Sequence, residues 1–483
     1  MHISLHTGIL LSLILIFSST TASAQGSSNI PAIIAPSLAP ATPAPAPATT
    51  PFAAPATLAP ATEPSAPVPS GRVPVDAIPP ATASPAMPPP GALSIEALQW
   101  LGLEANGLVH AARSQVGIAE SGVIAAAAYP NPQVTGVAGP QDPRIPAANP
   151  ANHHRQVTVA QMIENPFMRS ARIGAAAAGV EASRASFNQV RADLAALLRV
   201  RAFELLQRQE IARIETEVFD LMDDVRRRIK LAVEVGETAR FELIRSDAEV
   251  LNAAGRKEAA QLNAQRARIA LIQLTAGALK PDFVLKATLR DPVQLPALEV
   301  LRQEVPAANP EILRLIAEQE RTRLRISQER AAIIPGVQAI LSNYQDAQYT
   351  ANMAGMTVTV PLLYQRRGEI NAAIFDSARV RETLEYRQFE VGQLLESAWQ
   401  AYQIAQRRVE MFEGGIIREA ELAFQVARSA HRFGERGLIE VLDSQRILRG
   451  ILVDSLLARF ELQAAAAEID RLRAHYPKEQ TLE

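Results

Sequence analysis

No cysteine occurs anywhere in the 483 residues. Its absence excludes disulfides, thiolate metal sites and a lipid-bearing N-terminal cysteine. Lysine is almost as scarce, with five residues, so arginine carries the positive charge. The formal net charge is −2, which offers no basic surface for a nucleic acid. Long apolar runs are missing too. The stretch that comes nearest, Gly8–Phe17 (GILLSLILIF), precedes Ala22-Ser23-Ala24 and reads as a secretory signal peptide over residues 1–24, although no lysine or arginine stands ahead of it. Beyond it, no uninterrupted run reaches the ~18 residues that a membrane-crossing helix needs. If the mature chain crosses a membrane, it must do so with strands closed into a barrel.

Proline is unevenly spread, and its gaps are informative. Of 34 prolines, 19 lie between Gln25 and Pro90, among Ala, Thr and Ser with hardly a charge. Such a segment cannot bury a core, so residues 25–91 read as an extended, partly polyproline-II tether with a reach approaching ~200 Å. A spacer and a dispensable linker are both open readings of it. Proline is then absent from Phe167 to Lys280 and again from Leu362 to Tyr476. Within these windows apolar residues recur at steps of three and four, as in Phe187, Val190, Leu194 and Leu197, then Ile211, Ile214, Val218, Leu221 and Val225. That spacing predicts very long helices packed as coiled coils. A helix from Phe167 to Val235 would be about 100 Å long.

Both windows are interrupted by nearly the same phrase. GETARFELIRS runs from Gly236 to Ser246, and GERGLIEVLDS from Gly434 to Ser444. Gly236 and Gly434 mark helix ends, and the returning helices are expected near Phe241–Ala276 and Ile439–Ala474. Upstream the pairing continues. The intervals Asn106–Pro132 and Asn309–Pro335 are equally long and look helical. Each is followed by a segment with strand character, Gln133–Val137 in the first half and Val337–Tyr344 in the second. A second strand follows in each half, Gln156–Ile163 and Met356–Tyr364, whose Val-Thr-Val cores alternate as a two-faced sheet does.

The chain therefore reads as a tandem repeat. Residues 92–276 form the first copy, 277–296 a linker, 297–476 the second copy and 477–483 a tail. Each copy is helix, strand, loop, strand, very long helix, turn, helix. Four strands cannot close a membrane barrel, since the smallest have about eight. Left open, they expose edges that demand partners. Several chains, each giving four strands to one barrel, solve the closure problem.

Enzyme chemistry finds no foothold. There is no Ser/His/Asp set, phosphate-cradling glycine loop or paired-carboxylate site, so neither catalysis nor a cofactor is expected. His153-His154 is the only histidine cluster, and without a third ligand it makes a poor metal site. Tyr344, Tyr349 and Tyr364 fit an interfacial aromatic girdle.

The duplicated plan resembles the TolC-like outer-membrane efflux proteins, the outer-membrane factors of tripartite export systems. The resemblance covers nearly everything after the tether. It rests on Asn131-Pro132 before the first strand, Val360-Pro361-Leu362 closing the last, Gly368-Glu369-Ile370 before Ala372-Ala373, and the two Gly-x5-Glu turns. It implies a mainly α fold with a small transmembrane β part: a homotrimer with a twelve-stranded β-barrel in outer-membrane lipid, continued by a long α-helical barrel in the periplasm. A periplasmic adaptor and an inner-membrane pump, of the RND type, are the implied partners. The two turns become the periplasmic tip, with Val235, Gly236, Leu243, Phe433, Gly434, Val441 and Leu442 as adaptor-docking residues.

In the second turn, Gly434-Glu435-Arg436 and Glu440-Val441-Leu442-Asp443 are similar to the family's Gly-x-Arg-x3-Asp-Val-Leu-Asp pattern, with glutamate where aspartate is usual. Phe433 before the glycine departs from the family form, and Arg245 stands in the first copy where Asp443 stands in the second. Glu440 and Asp443 share a helix face, and around a threefold axis would form carboxylate rings that favour cations. Arg436 with Glu242 of the neighbouring turn is expected as a latch. Two other classes remain open on the sequence: an exit duct for type I protein secretion, and a periplasmic coiled-coil adaptor or scaffold without a barrel.

Overall fold

The computed structural model describes residues 92–140, 153–346 and 349–477, all within one compact unit. The signal peptide, the tether and the end of the tail lie outside the described residues.

Two successions of elements share one order. The first comprises α1 (Ile95–Ala105), α2 (Gly107–Ala127), β1 (Gln133–Pro140), β2 (His153–Ile163), α3 (Pro166–Glu234) and α4 (Arg240–Leu274). The second comprises α5 (Leu298–Ala308), α6 (Pro310–Ala331), β3 (Gly336–Gln345), β4 (Thr350–Thr359), α7 (Arg367–Met411), α8 (Ile417–Arg432) and α9 (Leu438–Leu472). At ~1.5 Å per residue α3, with its 69 residues, is about 100 Å long.

The caps explain where these helices start. Asn106 and Asn309 each end a short helix and begin a longer one, accepting from the N–H of Leu108 and of Glu311 through their side-chain oxygens. Their amide nitrogens do a second job. Asn106 donates to the carbonyl of Leu274 at 2.8 Å, and Asn309 to that of Leu472 at 2.9 Å. Each repeat thus ties the start of its second helix to the end of its last. Asn165 caps α3, with Pro166 at the first helical position, and donates across to Ala331. The short helices α1 and α5 are additions to the expected plan.

Along its first part α3 lies between α2 and α6, and along its second part between α4 and α9. Three apolar clusters follow from that arrangement. One joins α1, the middle of α3 and the end of α4 around Leu98, Leu198 and Leu271. A second joins α5, α6, α7 and the end of α9 around Leu301, Ile312, Leu395 and Ile469. The third joins the far halves of α3, α4 and α9 around Ile214, Met222 and Leu442. The 277–296 segment is more than a linker, because Leu279 and Leu289 are buried in the first cluster.

The strands form one antiparallel sheet in the order β1-β2-β3-β4, so the central pairing joins the two repeats. Two expectations need correction. The last strand was expected over Met356–Tyr364 and runs from Thr350 to Thr359. Gly336, the first residue of β3, already pairs with Thr359, and Pro361 has no N–H to donate. Tyr364 consequently lies outside the sheet, with its hydroxyl on Glu369. The second long helix is not continuous either. It is broken over Phe412–Ile416 by a π-helical turn in which Gly415 has φ 147°.

Replacing Asn309 by Ala removes a cap and leaves a buried carbonyl unpaired. It should destabilise the protein by about 2 kcal/mol, read as a lower melting temperature in detergent, while Asn343→Ala at an exposed strand position should leave it unchanged.

Candidate functional site: a two-faced sheet and paired tip turns

The pairing register sorts the strand residues onto two chemically different faces. Val134, Val159, Leu341 and Ala354 form one cross-strand row, and Ile163, Val337 and Val358 another on the same face. Val157 and Met356 share that face, and its large side chains are exposed in the single chain, Val337 apart. Toward the hairpin ends it turns polar, with Asn343 donating to Asn352 at 2.7 Å and Arg155 to Gln345 at 2.8 Å. The opposite face is mixed: Thr135, Gln156, Thr158 and Ser342 stand among Val137, Ile340, Met162 and Met353, with Gln156 donating to Ser342 at 2.9 Å and Thr158 3.1 Å from it. An apolar outer band with a hydrogen-bonded inner face is the pattern of a strand set with lipid on one side and water on the other. Among the described residues no helix is long and apolar enough to cross a membrane.

At the far end of the long helices the two turns share one geometry. Gly236 has φ 79° and Gly434 φ 75°, a region that glycine reaches without a Cβ penalty. In the first, Glu237 N–H reaches the carbonyl of Ala232 at 2.8 Å and Gly236 N–H that of Val233 at 3.1 Å. In the second, Glu435 reaches Ala430 at 2.9 Å and Gly434 reaches His431 at 3.1 Å. Both are Schellman caps. Both returning helices then pack on α3 in one cluster, to which α4 brings Leu243 and Ala253 and α9 brings Leu438 and Leu442.

The expected tip residues divide sharply. Val235 is 69% exposed and Phe433 78%, and both glycines are exposed. Val441 and Leu442 are 1% and 3% exposed, and Leu243 is half-buried. These three face the chain's own core, because the 438, 441/442, 445 stripe of α9 is the one turned toward the other long helices. They shape the turn. The expected Arg436–Glu242 contact is not made. Arg436, in the turn ahead of α9, instead bonds Glu440 in that helix's first turn at 2.9 Å. Glu242 Oε2 makes no hydrogen bond. Asp443 is exposed on the same helix face as Glu440.

One functional group escapes the sequence reading. Glu215 of α3 has its carboxylate 3% exposed, between Arg449 of α9 at 2.5 Å and Arg256 of α4 at 3.4 Å. A signal for it exists: a glutamate that falls beside Ile214 on the apolar stripe, one turn before Val218. Such a buried carboxylate needs cationic partners. Beside it Arg446 of α9 reaches Glu249 of α4. Together they join the two repeats above the tip.

Histidine chemistry stays peripheral. His154 stacks on Tyr344 with centroids 6.4 Å apart, and among the described residues no group of three or more His, Asp or Glu could hold a metal ion.

No family model matches the chain. In sequence it is similar to the cobalt-zinc-cadmium resistance protein CzcC of Cupriavidus metallidurans, with 25% identity over 388 residues, or 79% of this chain and 90% of that protein. In structure it is similar to CusC, described as forming a transmembrane channel, with a TM-score of 0.68 and 15% identity over 78% of this chain and 91% of that one. It is also similar to the Campylobacter jejuni outer-membrane channel CmeC, with a TM-score of 0.67 and 13% identity over 80% and 87%. The fold is that of these channels.

Glu215→Gln leaves two arginines competing for a neutral partner and should cost about 3 kcal/mol, read as a lower melting temperature. Val441→Ser should destabilise similarly, whereas Phe433→Ser should leave the melting temperature unchanged.

Proposed function

We propose that this chain, a TolC-like outer-membrane efflux channel by fold and by kinship, is the passive exit duct of a tripartite system whose cargo is divalent metal cations. The two-faced sheet carries the channel reading, because its rows of apolar side chains are left exposed with no core of the chain to cover them, as strands facing lipid are. It disfavours a periplasmic scaffold without a barrel. The sheet lies in the outer membrane and the helices in the periplasm.

Oligomerisation follows from the edges. β1 and β4 each have an unpaired side, and three copies of four strands make twelve, which can close. The helices support the same seam. Phe375, Tyr386, Phe389, Ile404 and Met411 of α7 are exposed and, at ~100° per residue, fall on one face of that helix. On the side of α2 turned away from α3 stand Gly107, Ala111, Ser114, Ile118, Ser121 and Ala125, all exposed and all but Ile118 small. Bulky knobs of one copy fit the shallow surface of the next.

At the tip, Val235, Gly236, Phe433 and Gly434 are available to a periplasmic adaptor. An inner-membrane pump of the RND type supplies the energy, for which the duct has no enzymatic means of its own. Glu440 and Asp443 form the carboxylate ring. Since Arg436 already engages Glu440, Asp443 supplies the unpaired charge. Rings of this kind favour cations, which suits the cargo in the name of the metal-resistance relative better than protein export.

Planar-bilayer conductance tests this reading. The parent should conduct with a preference for cations, and Glu440→Gln with Asp443→Asn should abolish that preference. Unchanged selectivity in the double variant would end the ring assignment. Cells lacking the chain should lose zinc, cobalt or cadmium resistance several-fold, and unchanged resistance would end the cargo assignment.

A further inference from the structure

At the foot of the sheet's apolar face lies a charged cluster that neither the strands nor the tip turns use. Gln161 shares that face with Val159 and Ile163 and donates to the carbonyl of Pro130 at 2.9 Å, so Tyr129 and Pro130 lie beneath the apolar rows. There the end of α2 meets the first turns of α3. Arg172 of α3 holds Glu164 through both terminal nitrogens and donates to the carbonyls of Ala126 and Ala128 at the end of α2. Glu164 is 2% exposed, closed off by that partner. Arg169 is not matched in the same way. Its Nε stands 3.9 Å from Glu164 and makes no hydrogen bond, while one Nη donates to the carbonyl of Ala127 at 2.6 Å. The guanidinium lies 4.4 Å from the centre of the exposed Tyr129 ring, which fixes its place. Two arginines thus share one carboxylate, and one positive charge is left without a counter-ion.

The duplicated plan does not require this cluster. Counted from Asn165 and Arg366, the residues that begin α3 and α7, Glu164, Arg169 and Arg172 correspond to Gln365, Ile370 and Ala373. Counted from Pro132 and Pro335, Tyr129 corresponds to Ala332. The second repeat builds the same junction without any of the four, and its own Arg366 has a carboxylate, Glu329, at 2.5 Å. Depth matters as much as charge. Ile163 belongs to the apolar row nearest the helices, and Arg169 follows it by six residues, about 10–15 Å further from the sheet. A side chain on a helix leans toward the N-terminus, here toward the sheet, and recovers several ångströms of that. The guanidinium then falls at the level of the ~5–8 Å headgroup layer that flanks a bilayer's hydrocarbon.

We propose that the cleft between the end of α2 and the start of α3 seats the phosphodiester of an anionic glycerophospholipid from the periplasmic leaflet of the outer membrane. The inference rests on the reading that the sheet's apolar face meets lipid. The cleft has a volume of about 260 Å³ and is lined by Tyr129, Glu164, Pro166, Arg169, Ser170 and Ile173. Arg169 supplies the charge-assisted hydrogen bond to the phosphate. Tyr129 and Ser170 add hydroxyls that hold no hydrogen bond among the described residues. The acyl chains run from there over Ile163 and Val159, both exposed. A zwitterionic headgroup fits less well, because its ammonium would need a carboxylate and Glu164 is already closed by Arg172. The cluster occurs in one repeat only, so each chain holds one such lipid.

Native mass spectrometry of the delipidated particle in detergent tests the site. The probes are phosphatidylglycerol, phosphatidylethanolamine and phosphatidylcholine with the same acyl chains. One phosphatidylglycerol per chain should bind about tenfold more tightly than either zwitterionic lipid, the margin of one charge-assisted hydrogen bond. Arg169→Gln should remove that margin. Ser170→Glu, at an exposed position, should remove it too by placing a negative charge in the cleft, and it leaves the contacts of Arg169 to Ala127 and Tyr129 in place should Arg169→Gln fail to fold. Arg367→Gln, at an exposed arginine that begins α7, should leave the margin as it is. The proposal is overturned if phosphatidylglycerol has no advantage, if a folded cleft variant keeps it, or if Arg367→Gln loses it equally. It is also overturned if millimolar inorganic phosphate displaces the lipid, which would make the cleft a plain anion site. A particle that stays in solution without detergent and takes up none of the three lipids would instead overturn the membrane reading.

Discussion

Every backbone N–H and C=O of a strand in lipid must find a partner within the protein, because hydrocarbon offers none. A sheet of four strands leaves that demand unmet along β1 and β4. The rest of the architecture is consistent with meeting it by repetition: first within the chain, where β2 of one repeat pairs with β3 of the next, and then between chains. The long helices answer to the same geometry. They too leave a face unpartnered, with Phe375, Tyr386, Phe389, Ile404 and Met411 exposed in line along α7.

Duplication gives two arms of one design, and they differ at a few places. The Schellman turns at Gly236 and Gly434 match bond for bond, as do the asparagine ties at Asn106 and Asn309. Two divergences lie below mid-helix. Arg245 stands where the other copy has Asp443, and a straight, clamped helix at Glu215 faces a broken one at Glu413.

Much of this is legible in the residues. The proline-free windows and the three-four spacing disclose the rods, and Val-Thr-Val discloses the strands. What the sequence hides has physical reasons. The end of β4 depends on where Gly336 begins its partner strand, which no local pattern in Val360–Tyr364 reveals. Val441 and Leu442 look like a docking motif, but their burial depends on which stripe of α9 meets α3. Arg436 has two glutamates within plausible reach, and the one nearer in sequence, Glu440 in the first turn of α9, takes it. Gly414-Gly415 was visible as a pair of helix breakers in the middle of a window that otherwise reads as one rod. Glu215 was visible as a charge on an apolar stripe. Neither carries its meaning until the opposite repeat is laid beside it.

The central claim is that four strands are a third of a barrel. The protein mass of the detergent-solubilised particle, with the bound detergent subtracted, tests it most directly. The account predicts the mass of three chains. A stable, folded particle with the mass of a single chain would leave β1 and β4 unpaired and would contradict it.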